Sequence, residues 1–153
     1  MDVNTYIKDL QKNKLLRTQE ECEAFDNALE KLSNYQSKEI LEDLFLVFDD
    51  SAKEEEVMFG LIHFLEDYEM NTYLNGLAKS LPKMLQNAKE WVLILNKRIL
   101  NSEQYRNAYA EIIKVMEEQY KKLIINLMNE IKLDNPKKFE SLVNDFISKI
   151  GWY

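Results

Sequence analysis

At 153 residues, 46% hydrophobic and 31% charged, the chain carries enough apolar surface for one folded domain spanning residues 1–153, and no run approaches the roughly 18 apolar residues of a membrane helix. Three glycines and two prolines are too few for the turns and hairpins of a strand architecture, which leaves an all-α fold. The net charge of −7 is uneven: residues 1–76 carry 7 Lys/Arg against 18 Asp/Glu and residues 77–153 carry 13 against 9, so the first half repels nucleic-acid phosphates and either steers basic proteins toward it or serves solubility alone.

The elements follow in chain order. Tyr6, Ile7, Leu10 and Leu15 predict a short helix from about Asn4 to Leu16. Thr18 and Glu21 form a capping box, so a second helix starts near Gln19 and runs to about Asn34 on a stripe of Cys22, Phe25, Leu29 and Leu32. Ser37 caps a third helix carrying Ile40, Leu41, Leu44, Phe45 and Phe48. Ser51 and Glu54 repeat the capping-box pattern ahead of a fourth helix that buries Val57, Met58, Leu61, Ile62 and Leu65. A shorter helix is expected around residues 72–79. Pro82 then occupies the first turn of the next, which reaches Leu100 on Leu85, Ala88, Trp91, Val92, Leu95 and Ile99.

From Tyr105, the positions Tyr109, Ile112, Met116, Tyr120, Leu123, Leu127 and Ile131 recur with an 11-residue period, which suits a nearly straight helix with room for one break. Asn135-Pro136 supplies the N-cap and first position of the last helix, and Gly151 its stop. Helices joined by connections this short pack as antiparallel neighbours. The expected fold is therefore seven to eight helices in a single domain, either a HEAT-like α-solenoid stack or an irregular helical bundle.

Few residues suggest chemistry. Cys22 has no partner for a disulfide or a metal and reads as a small core residue. His63 and Glu66, three apart on one helix face, read as a hydrogen-bonded pair of the fold, with a partner contact as the other reading; one histidine satisfies neither a di-metal bundle nor a zinc-protease helix, so no metal is expected. No nucleophile elbow, dinucleotide fingerprint or phosphate loop is present, and no catalytic residue or cofactor is assigned. Trp91 and most other aromatics belong to the core, as do Met58, Met84, Met116 and Met128, while Trp152-Tyr153 either seals the core or projects.

The acidic run Asp49, Asp50, Glu54, Glu55, Glu56, Glu66, Asp67 and Glu69 is the candidate partner-binding surface, a rigid negative face for a cationic cleft. The competing reading of Glu54–Glu56 is local, because acids in a first turn complement the helix dipole. Reversing Asp49, Asp50, Glu55 and Glu56 is expected to leave the fold intact.

The segments GLIHFLEDYE and EWVLILNKRILNS resemble the helical immunity proteins of bacterial polymorphic toxin systems, in particular the immunity protein 30 family, over roughly residues 40–135. The resemblance rests on Gly60, His63 and Glu66 in the first segment and Trp91, Arg98 and Asn101 in the second, positions that structural needs alone would also explain. It implies a small cytoplasmic protein, encoded beside a toxin, that binds the toxin domain and blocks it. A cognate protein toxin with a basic cleft, such as a nuclease, is then the partner, with neither nucleic acid nor membrane as ligand. A helical adaptor or scaffold is the alternative, and an enzyme ranks behind both.

Overall fold

The structure, a computed structural model, describes residues 2–151; Trp152 and Tyr153 lie outside the described residues. Among these, nine α-helices and one 3-10 turn are present and no strand. The chain divides into two compact units, Met1–Trp91 and Val92–Tyr153, with the division inside a helix.

The first unit opens with α1 (Val3–Asn13), capped by Asp2, whose carboxylate accepts from the Thr5 backbone N–H at 3.3 Å. It buries Ile7 and Leu10 and packs on α2 (Gln19–Leu32). Between them Leu16 is fully buried at φ 50°, a left-handed conformation that costs a leucine about 1–2 kcal/mol and persists only because the side chain is enclosed. At the start of α2 the Thr18 hydroxyl accepts from the Glu21 N–H at 3.1 Å, as expected of a cap. The Glu21 carboxylate returns to the Arg17 N–H at 2.8 Å and to the Arg17 guanidinium at 2.9 Å, one residue upstream of a standard box. The Arg17 hydrogen bonds hold its carboxyl at about 2, well below the usual range. Phe25, Ala28, Leu29 and Leu32 form the buried stripe. Cys22 departs from expectation: it is half-buried at the edge of that stripe, with its thiol pushed up by burial and by Glu54.

Ser37 caps a 3-10 turn, Lys38–Ile40, before a five-residue helix α3 (Leu41–Phe45), so the third helix is shorter than its apolar pattern implies. Val47 and Phe48 are buried beyond its end, in the loop. The Ser51–Glu54 box does not form. Asp49 Oδ1 takes the Ser51 N–H at 2.8 Å in a local turn, and α4 (Glu55–Glu66) begins behind Glu54 with no side-chain cap. Helix α5 (Met70–Met84) is longer than the expected 72–79 and starts with Glu69 accepting from the Thr72 N–H at 2.8 Å. Pro82 lies in its last turn rather than in the first turn of the next helix. There its missing N–H removes a single bond, and the helix closes through the Leu85 N–H to Leu81 O and Lys83 O. Within the unit α1 packs on α2, α2 in turn lies on α4, and α3 lies on α5.

Helix α6 (Lys89–Leu100) crosses the division. In the second unit, α7 (Glu103–Lys114) is capped by Ser102 and α8 (Glu118–Asp134) follows after Val115, Met116 and Glu117, so the long repeat is broken once. The break resets the register: Ile113, Ile124, Ile125 and Met128 are buried alongside Tyr109, Leu127 and Ile131, while Ile112 and Leu123 are half-buried. Helix α9 (Pro136–Ile150) has the expected Asn135 cap and ends at Gly151 with φ 75°, and both α7 and α8 pack on it. Arg106 ties the unit together, donating to Asp145 at 3.1 Å and to the Leu100 carbonyl at 2.6 Å. Lys149, and then Arg106, hold the Asp145 carboxyl below its ordinary value.

Candidate functional site

All eight acidic candidates fall in the first unit, which carries 19 Asp/Glu against 10 Lys/Arg, while the second carries 8 against 10. They do not form one patch. Helix α4 has 12 residues, a length of about 18 Å at 1.5 Å per residue, and it separates Glu54–Glu56 at its start from Glu66 in its last turn and Asp67 and Glu69 after it.

Asp49 and Asp50 are occupied by the fold. Asp49 pairs with Lys14 at 3.4 Å, and its backbone carbonyl accepts from the Trp91 indole Nε1 at 3.1 Å. The Asp50 carboxylate accepts from the N–H groups of Glu90 and Trp91 at 3.2 and 3.4 Å, capping the start of α6 from 40 residues away. Reversing Asp50 would remove the side-chain cap of α6, and reversing Asp49 would remove its pair with Lys14, so these two positions carry a cost to the fold that Glu55 and Glu56 do not.

Glu54, Glu55 and Glu56 are exposed at the positive end of α4, where the macrodipole stabilises them. Glu66 and Asp67 stand in the last turn and at the C-cap of the same helix, where the dipole opposes a negative charge. Local helix stability therefore accounts for the first group and not for the second. Glu69 caps α5 and lines a groove of about 600 Å³ together with Glu39 and Glu42. Sequence reading did not select those two glutamates, since only the packing of α3 on α5 brings them beside Glu69.

His63 and Glu66 are neighbours but not the expected hydrogen-bonded pair: Nδ1 and Oε1 are 4.0 Å apart, and the histidine side chain is 68% exposed. The imidazole stands near the Phe59 ring at 6.5 Å. No group of three His, Cys, Asp or Glu side chains gathers as a metal site would require, and no helix is long and apolar enough to cross a membrane, among the described residues. Trp91 is 4% exposed and packs on Phe48 and Phe59 with ring centroids 5.8 and 5.5 Å away, so in this chain it is a core residue. Gly60 is half-buried within α4, Arg98 half-buried in α6, and Asn101 exposed just after it.

The glycine with a demonstrable packing role is Gly76. A Cβ there would stand 2.5 Å from the Leu41 side chain, so its absence lets α3 approach α5. An isolated glycine within an apolar helical pattern was the available signal.

No curated protein and no solved structure matches the chain. The family model for immunity protein 30 matches residues 12–109, more than half of the chain and starting well before the roughly 40–135 expected from its two segments. Gly60, His63, Glu66, Trp91, Arg98 and Asn101 all lie inside that match. The chain belongs to the immunity protein 30 family.

Proposed function

We propose that this protein binds a cognate toxin domain and neutralises it by stoichiometric, reversible occlusion, with no catalytic step of its own. Family membership supports a partner of this kind, and the observation that carries the mode of binding is the concentration of negative charge in the first unit. A basic cleft on an enzyme that handles nucleic acid or phosphates is the complementary surface. Of the eight acidic candidates, Asp49 and Asp50 hold the fold, which leaves the two ends of α4 to meet the toxin. The exposed Asp67 and half-buried Glu66, which the helix dipole disfavours, make the end of α4 the stronger contact.

The test is co-expression with the product of the gene beside this one. Rescue of growth and recovery of a one-to-one complex are expected. Continued toxicity without a complex would favour the adaptor reading.

A further inference from the structure

The groove between α3 with its preceding 3-10 turn and α5 extends the acidic surface found at the end of α4. Its floor includes Leu41 and Gly76, the pair whose close approach needs the missing Cβ. Its walls carry the exposed carboxylates of Glu39 and Glu42, which make no ion pair among the described residues, and Glu69. On α5 the Asn75 side-chain amide nitrogen donates to the Asn71 carbonyl at 2.9 Å, which leaves the Asn75 amide oxygen as an acceptor. Lys38 and Lys79 also line it, so three carboxylates face two ammonium groups within a unit whose overall charge is −9. A volume of about 600 Å³ is enough for several side chains of a docked segment. The Tyr68 hydroxyl donates to the Ser37 carbonyl at 3.0 Å, fixing the α4–α5 turn against the start of the groove and holding both acidic regions in register.

We propose that this groove receives a lysine- or arginine-bearing segment of the toxin, with Glu39 and Glu42 meeting its cations and Asn75 a backbone or side-chain N–H. The proposal rests on the toxin-binding reading above. Charge complementarity sets the sign of the occupant: acceptors outnumber donors on the lining, and the field of the whole unit draws positive charge toward it.

The experiment measures affinity for the neighbouring gene's product with the full-length protein and four variants, each first shown by circular dichroism to fold. Glu39→Lys/Glu42→Lys and the steric plug Asn75→Trp should each weaken binding tenfold or more, whereas Lys79→Glu should preserve or strengthen it. Glu55→Lys/Glu56→Lys, at the far end of α4, should weaken binding less than the groove pair does. Wild-type affinity in both groove variants, or weakening by Lys79→Glu alone, overturns the groove while leaving toxin binding intact. Absence of wild-type binding overturns toxin binding itself, so the two failures are distinct.

Discussion

The indole Nε1 of Trp91 donates to the backbone carbonyl of Asp49 at 3.1 Å. The next residue, Asp50, caps the start of α6 through the N–H groups of Glu90 and Trp91. One short polar turn thus anchors a core tryptophan and a helix start together. Trp91→Ala should cost about 4 kcal/mol by emptying a site packed on Phe48 and Phe59. Asp50→Ala should cost about 1 kcal/mol through the lost cap. Because both act on the same helix start, urea unfolding of the double variant should show non-additive losses.

The two helical glycines of the first unit should respond in opposite directions. At Gly60 an added Cβ meets only Leu29 Cδ1, at an ordinary 3.7 Å, so Gly60→Ala should stabilise by about 0.5–1 kcal/mol through helix propensity. At Gly76 the added Cβ falls 2.5 Å from Leu41 and 3.3 Å from Phe45, and Gly76→Ala should destabilise by about 2 kcal/mol. Chemical denaturation compares both with the wild type; destabilisation by Gly60→Ala would show that its spacing to Leu29 is misjudged.

Glu21 sets a pH dependence at the start of α2. Its folded carboxyl titrates at about 2, because of the Arg17 hydrogen bonds, against an ordinary value of 4.5. A depressed folded value contributes stability that is complete above about 4.5 and is lost as the pH falls toward 2. Glu21→Gln should therefore lower the melting temperature at pH 7 and narrow its difference from the wild type on acidification through that window. A difference that is constant from pH 7 to pH 2 would contradict the assignment.

Tyr68 is 5% exposed and its hydroxyl reaches the Ser37 carbonyl, while burial, with Tyr35 adding to it, pushes the phenol up to about 12. Tyr68→Phe should cost about 1 kcal/mol by removing that hydrogen bond and leaving the carbonyl with the longer Ile40 N–H contact at 3.4 Å. Ultraviolet titration should show this tyrosine ionising later than an exposed one.

Local signals were the legible part of the fold. Thr18, Asn135 and Gly151 mark helix ends through residues at most three positions away, and the structure places the helix ends there. Ser51 misleads because Asp49 competes for the same backbone donor, and Pro82 because a proline is tolerated in a last turn as well as a first. What depends on packing was not legible. Asp50 caps a helix 40 residues on, Glu39 and Glu42 reach Glu69 only through the α3–α5 contact, and the two acidic groups of α4 stand a helix length apart. Charge per half-chain was readable from the sequence, whereas its division into fold-holding and available carboxylates was not.

The most direct measurement is the association rate of the purified protein with the neighbouring gene's product at low and high salt. Electrostatic capture predicts a one-to-one complex whose association rate falls about tenfold or more between roughly 50 mM and 500 mM salt, with dissociation changing far less. A salt-independent association rate would contradict capture through the acidic unit, and failure to form any complex would contradict toxin neutralisation.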